Sequence, residues 1–168
     1  MAVRHRLIKE SPATVWSVLA DPERYAEWVV GTSASRPLRG RWPEVGSALG
    51  YEVNLGPVVL RNETVVRGCQ EGSAVELEAH AGFLGTARIA IELRPWGDEC
   101  LVVVDEHPLR GAGGALHNWA VEAFIQVRHR AMLARLAKVC EAERTVVPGR
   151  PGPAVTGAVR TAGADGHA

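Results

Sequence analysis

Apolar and polar residues alternate along the middle of the chain, and turn-forming residues separate the alternating stretches. A period of two is typical of strands that bury one face. The links between these stretches are too short for the crossovers that parallel strands need, so the pattern predicts an antiparallel meander after a first strand near the N-terminus. The predicted strands are 3–9, 49–55, 58–67, 75–80, 87–93 and 101–108.

The pairing of two neighbouring predicted strands follows from the same alternation. A tight turn between them places Val75 beside Ile91 and Leu77 beside Ile89. This pairing keeps one apolar face continuous across the sheet.

The register of the last predicted hairpin is open. A two-residue turn at 96–97 places Glu106 on the same face as Ile89. One more residue in the turn places Asp105 and His107 on that face instead, because a slip of one residue turns every side chain to the other side.

Two short helices are predicted between the first strand and the meander. Ser11 followed by Pro12 combines a favoured N-cap with a proline in the first helical turn, and the apolar residues that follow share one face as far as Leu19. The segment Asp21-Pro22-Glu23 repeats the same type of start and opens the second short helix.

A long helix is predicted at the end of the folded region. Residues 115–143 contain no Gly or Pro, and they follow the glycine-rich segment 111–114. The apolar residues of this helix form two arcs, so it is expected to be buried on more than one side. One arc consists mostly of alanine, and such small side chains either let the sheet approach closely or leave room for another molecule.

Composition and charge exclude several classes of protein. The 168 residues include 19 basic and 19 acidic side chains, so the chain lacks the basic excess of a nucleic-acid-binding protein. We find neither a signal peptide nor the roughly 20 consecutive apolar residues of a membrane span. The three cysteines form no CxxC pair and no zinc-binding spacing, which favours reduced thiols and a cytoplasmic location.

The C-terminal segment 146–168 differs from the rest of the chain. It is rich in Gly, Pro, Ala and Thr and has no periodic pattern of large apolar residues. Such a segment cannot bury enough surface to offset its ordering entropy. We therefore expect one folded domain at 1–145, followed by a disordered tail at 146–168.

Three motifs resemble those of a known superfamily. Segments 11–16 (SPATVW), 21–28 (DPERYAEW) and 42–46 (WPEVG) are similar to motifs of START-like (SRPBCC) proteins, in particular the bacterial polyketide cyclase/dehydrase-like subfamily. The order of the predicted elements also matches this superfamily. The resemblance implies an α+β helix-grip fold of the Bet v 1 type. In this fold a curved antiparallel sheet wraps around a long C-terminal helix, and two short helices follow the first strand.

The implied fold has a cavity between sheet and long helix, which is the expected site for a hydrophobic small molecule. Candidates for acid–base catalysis in this cavity are Glu106, His107 and His117. Alternatives stay open, because His107 also fits an exposed strand end and His117 a helix cap. Arg128 also fits the protein surface, and core packing is the alternative for the tryptophans. The candidate ligand-binding residues are Trp28, Trp42, Tyr51, Asn62, Thr64, Leu77, Ile89, Asn118, Ala123 and Arg128.

Two functions are consistent with these expectations. One is the binding of a lipid-like or polyketide-like hydrophobic molecule. The other is a dehydratase-type polyketide aromatase/cyclase that acts on a poly-β-ketone intermediate and needs an acid–base group in the cavity. Neither is expected to use a cofactor or a metal, and the Cys-x-His ligands of Rieske-type relatives are missing. The expected partner is the small molecule, with no nucleic acid and no integral membrane contact, and the protein is expected to be a monomer or a homodimer.

Overall fold

The computed structural model describes residues 2–55, 57–80, 86–110 and 119–146, and in the last range it describes the side chains from Arg130 to Glu143. Seven strands and three helices lie within these residues. In chain order they are β1 (Ala2–Ile8), α1 (Pro12–Leu19), α2 (Tyr25–Trp28), β2 (Thr32–Arg39), β3 (Ala48–Leu55), β4 (Val58–Gln70), β5 (Ala74–His80), β6 (Thr86–Trp96), β7 (Glu99–Arg110) and α3 (Trp119–Val146).

The strands form one antiparallel sheet with the order β1-β7-β6-β5-β4-β3-β2. The first strand therefore pairs with the last, and β2 forms the opposite edge. With two short helices after β1 and a long helix after β7, this is the predicted α+β helix-grip architecture. We call the sheet face that shares a core with the three helices the inner face, and the opposite one the outer face.

Strand β2 was not predicted from the sequence, and its burial pattern explains why. Its sequence is TSASRPLR, and only Thr32 and Ser35 are even half-buried. An edge strand that buries so little has no apolar alternation to detect. Pro37 is tolerated here because an edge strand has one side free of ladder hydrogen bonds.

The predicted strand pairing is confirmed. Val75 lies opposite Ile91, and Leu77 lies opposite Ile89. In the β6–β7 hairpin the two-residue loop is 97–98, and Gly97 adopts a φ of +61° that suits a tight hairpin turn. This loop places Glu106 opposite Ile89, so the two-residue alternative gives the correct face for Glu106, although the loop lies one residue further along the chain than the predicted 96–97.

Helix α1 starts as its sequence indicates, whereas α2 starts later than predicted: it begins at Tyr25, and its N-cap residue Arg24 makes no side-chain capping bond. The hydroxyl of Ser11 accepts a hydrogen bond from the backbone N–H of Thr14 at 3.2 Å, and Pro12 occupies the first turn of α1. Before α2, the side chain of Asp21 accepts a bond from the N–H of Glu23 at 2.9 Å. Ser35 of β2 donates to the carbonyl of Pro22 at 2.9 Å, which ties this segment to the sheet edge.

In the part of helix α3 whose side chains are described, several residues pack into the core. The buried side chains there are Met132, Leu133, Leu136, Ala137 and Cys140. The backbone of α3 lies close to β1, α1 and α2. Arg24, next to α2, forms an ion pair with Glu143 near the end of α3.

The predicted helix is confirmed over 119–143, whereas its predicted start at 115–118 lies outside the described residues. So does nearly all of the predicted tail, since the description ends at Val146. Within the described part of the chain, no helix has the length and apolar character to cross a membrane.

Candidate ligand-binding site

The inner face of the sheet is mostly apolar across its central strands. Its buried residues include Val66, Val75, Leu77, Ile89, Ile91, Val102 and Val104. Paired positions place these side chains next to one another from β4 to β7. Leu77 and Ile89, both predicted as ligand-binding residues, therefore lie at the middle of this face.

Glu106 is a charged residue on this apolar face. It lies opposite Ile89 and two residues beyond Val104, and it is only 7% exposed. The register of β7 turns its neighbours Asp105 and His107 to the outer face. There the Nε2 atom of His107 lies 3.0 Å from Oδ2 of Asp105. The structure thus separates Glu106 from His107, because side chains alternate along a strand.

Polar groups of β3 and β4 occupy the other side of the inner face. Thr64 is fully buried and lies opposite Leu49, while the half-buried Asn62 lies opposite Tyr51. All four share the inner face, since they alternate with outward residues. Asn62, Thr64 and Tyr51, three of the predicted ligand-binding residues, are therefore close together.

An aromatic cluster joins α2 to these strands, with Tyr25 at its centre. The ring of Tyr25 lies 5.1 Å from Trp28, 6.2 Å from Trp42 and 5.7 Å from Tyr51, measured between ring centroids. Its hydroxyl lies 3.1 Å from the hydroxyl of Thr64, and both are buried. Edge-to-face contacts of this type stabilise a core beyond the area that they bury.

The two tryptophans of the cluster differ in hydrogen bonding. The indole N–H of Trp42 donates to the carbonyl of Leu19 at 3.0 Å, so this side chain ties the segment after β2 to the end of α1. The indole nitrogen of Trp28 is buried and has no acceptor among the described residues. Trp28 therefore has a donor available for a bound molecule, and Trp42 does not.

The remaining predicted site residues fall outside this description. His117 and Asn118 precede the described part of α3. Ala123 and Arg128 belong to α3, but at positions whose side chains are not described. Their roles stay predictions.

The outer face of β2, β3 and β4 carries a half-open groove of about 260 Å³, here called the outer groove. Its lining residues are Ala34, Ser35, Arg36, Leu38, Gly50, Tyr51, Glu52, Arg61 and Asn62. Sequence analysis did not find it, because one of its walls is β2. The available signals were a glycine inside a strand, Gly50, and the apolar Leu38 among polar residues.

Among the described residues, no three His, Cys, Asp or Glu side chains are grouped so that they could hold a metal ion. The three cysteines are free thiols. Burial raises the pKa of the Cys140 thiol to about 12, and the nearby Glu143 carboxylate adds to this rise. At neutral pH Cys140 is therefore a protonated, unreactive core residue.

Solved structures share this architecture. Protein NE0264 from Nitrosomonas europaea matches with a TM-score of 0.69 and 14% sequence identity, over 86% of this chain and 96% of that one. Ara h 8.0201 matches with a TM-score of 0.67 and 9% identity, over 84% and 97% of the two chains. DynU16, assigned to the dynemicin biosynthetic locus, matches with a TM-score of 0.62 and 16% identity, over 84% of this chain and 47% of DynU16.

No protein-family model matches the sequence, and no curated protein matches it significantly. The structural likeness shows the fold alone: this chain has a helix-grip fold, which it shares with NE0264, Ara h 8.0201 and DynU16. The identities of 9–16% to NE0264, Ara h 8.0201 and DynU16 go no further than the fold. Function must therefore be argued from this chain's own residues.

Proposed function

We propose that the protein binds a hydrophobic small molecule, lipid-like or polyketide-like, between the inner face of the sheet and α3. The observation that carries the proposal is the buried carboxylate of Glu106 beside the apolar central part of the inner face. Even when it has a partner, a buried charge commonly stabilises a fold less than an apolar residue of the same size. Its presence therefore favours a functional role over a structural one.

The distribution of residues on the inner face also supports this proposal. Ligand sites for small molecules have a largely apolar lining with a few polar groups that fix orientation. Here Leu77 and Ile89 supply the apolar lining, while Glu106 and Asn62 supply polar groups at its two sides. A bound molecule of matching length would contact both polar groups through its ends.

The position of α3 indicates which part of the inner face is available. The helix follows the end of β7 at which Glu106 lies, and its half nearer the C-terminus shares the core with Ile8 and Cys100 at the opposite end of the sheet. Cys140, which is buried in that half of α3, lies near Cys100 at this end of the sheet. The proposed site therefore lies toward the first half of α3.

Matched substitutions on the two faces test the proposal. Ala79 is buried on the inner face, and Ala90 lies on the outer face of the next strand. With the neutral fluorescent probe N-phenyl-1-naphthylamine, we expect Ala79→Phe to weaken binding at least tenfold and Ala90→Phe to change it less than twofold. Thermal unfolding of both variants checks that they remain folded.

A close-packed inner face gives a different result. The parent protein then does not bind the probe, and the added ring of Ala79→Phe destabilises the fold by about 1–3 kcal/mol through overpacking. Either observation contradicts the proposal. Mass spectrometry of the native protein after purification identifies any molecule that it retains.

A second candidate function is an aromatase/cyclase, and the carboxyl group of Glu106 favours it. General acid–base catalysis needs a proton-transferring side chain beside the substrate, and Glu106 is such a group on the inner face. The substitution Glu106→Gln keeps the shape and removes the proton transfer. If the protein is a cyclase, this variant stops cyclisation of a poly-β-ketone thioester, as seen by mass spectrometry of the product. If it is a carrier, the parent protein forms no such product.

A further inference from the structure

The outer groove lies on the opposite side of the sheet from the proposed cavity. Its walls belong to β2 on one side and to the paired strands β3 and β4 on the other. Tyr51 and Asn62 border both sites, but the side chains of Arg36, Gly50 and Glu52 belong to the outer face because neighbours along a strand point in opposite directions. The groove is therefore a separate surface.

The floor of the outer groove is apolar. Gly50 has no side chain, and Leu38 lies directly over it: a Cβ atom added at Gly50 would come within 3.1 Å of the Leu38 side chain. Leu38 is 50% exposed, and Ala34 continues the apolar surface along β2. A flat apolar group laid on this floor removes exposed apolar area from water, which favours binding.

The two arginines of the groove differ in their partners. Arg61 pairs with Glu52, with 3.2 Å between Nε and Oε1. Arg36 is exposed at the other wall and makes no ion pair or side-chain hydrogen bond with any residue that the structure describes. The groove thus combines an apolar floor with an arginine that has no carboxylate partner among the described residues. An anionic group on a ligand would complement this positive charge.

The volume of the outer groove sets the size of its ligand. Sites for drug-sized molecules measure about 300–1,000 Å³, and this groove measures about 260 Å³ and is half open. A single aromatic ring with one acid group fits such a space, whereas a lipid does not. We propose that the outer groove binds a small aromatic carboxylate, with its ring against Leu38 and Ala34 and its carboxylate on Arg36.

The test uses two probes of the same shape and different charge. 4-(Trifluoromethyl)benzoate carries the acid group, and 4-(trifluoromethyl)benzamide replaces it with a neutral amide. Fluorine NMR measures the binding of each to the full chain at low salt. We expect the benzoate to bind at least threefold more tightly than the benzamide, and we expect the difference to shrink at high salt because the arginine is exposed.

Variants assign the effect to the groove. Arg36→Gln removes the preference for the benzoate, and Arg36→Lys retains most of it. Arg94→Gln is the matched control, because Arg94 is also an exposed arginine, lies on β6 and pairs with Glu92; this substitution leaves both affinities unchanged. Leu38→Ala weakens the binding of both probes to a similar degree, since it removes part of the apolar floor.

Three results overturn the proposal. The first is equal binding of the two probes. The second is an Arg94→Gln variant that reduces the preference for the benzoate as strongly as Arg36→Gln does. The third is a set of backbone amide shifts, caused by the benzoate, that map to Leu77 and Ile89 rather than to 34–38 and 50–52. The last result assigns the probe to the inner face and so supports the cavity instead. Because each substituted side chain is exposed, thermal unfolding is expected to show folded variants throughout.

Discussion

The side chain of Tyr25 connects several parts of the core. Its ring contacts Trp28, Trp42 and Tyr51, and its hydroxyl lies 3.1 Å from that of Thr64. The ring contacts depend on shape and buried area, whereas the hydroxyl contact satisfies a polar atom in the core. These two contributions can be separated by substitution.

We predict that Tyr25→Phe destabilises the protein by about 1–2 kcal/mol, because it removes the hydrogen bond and leaves the hydroxyl of the fully buried Thr64 without this partner. Urea denaturation measures the change. The double variant Tyr25→Phe/Thr64→Val is expected to recover part of the loss, since both polar atoms are then gone. Additive losses would contradict this account.

The buried Cys140 predicts a dependence of stability on alkaline pH. Its pKa is raised from an ordinary value near 9 to about 12 in the folded protein. Folding therefore favours the protonated thiol. The contribution of this thiol to stability is fully present below pH 9 and is lost as the pH rises toward 12.

Between pH 8 and pH 10 we expect the parent protein to lose about 1.4 kcal/mol more than Cys140→Ala, which has no thiol to ionise on unfolding. Urea denaturation of both proteins at the two pH values measures this difference. The substitution also lowers stability at every pH, but that loss cancels in the comparison. Identical pH dependences would show that the thiol ionises as readily in the folded protein as in the unfolded protein.

At the scale of secondary-structure elements, local sequence determines where α1 begins. Ser11 satisfies a backbone N–H of the first turn, and Pro12 occupies a position that needs no N–H donor. We predict that Ser11→Ala costs about 1 kcal/mol. Ser17→Ala is the control within the same helix, and we expect it to be neutral or slightly stabilising because alanine favours helix interiors. Equal effects in urea denaturation would show that the cap does not stabilise α1.

The elements also show what the sequence could and could not predict. The pairing of Leu77 with Ile89 followed from apolar alternation, because a buried face constrains both strands. The side on which Glu106 lies did not follow, because it depends on whether the turn between β6 and β7 has two residues or three. Strand β2 and the outer groove were missed, since an exposed edge leaves no pattern of apolar residues.

The sequence predicted which aromatic residues belong to the candidate site, but it did not predict the contacts that they make. Trp28 and Trp42 were both expected near the ligand, yet only the structure shows that the N–H of Trp42 donates a hydrogen bond to the carbonyl of Leu19. Such a bond joins residues that are far apart in sequence. No local pattern contains this information, so sequence alone could not distinguish the two side chains.

At the scale of the whole molecule, we predict that residues 147–168 contribute little to folding. The described elements end with α3 at Val146, and the buried helix residues lie before it. A chain truncated after Val146 is expected to unfold within about 2 °C of the full chain, since a loss of 1 kcal/mol would shift the melting temperature by about 2–8 °C in domains of this general size. A larger decrease in calorimetry would show that the segment packs on the domain. Probe binding by the truncated chain then tests whether it covers the inner face.

The pairing of β1 with β7 determines when this protein can finish folding. Ala2 lies opposite Glu106, so the sheet gains its first strand only after about a hundred further residues have left the ribosome. The hairpins from β3 to β7 can form in the order of synthesis, while β1 must remain unpaired and exposed. Contacts between such distant residues slow folding. Pulse-labelling hydrogen exchange should therefore find the amides of β1 among the last in the sheet to gain protection.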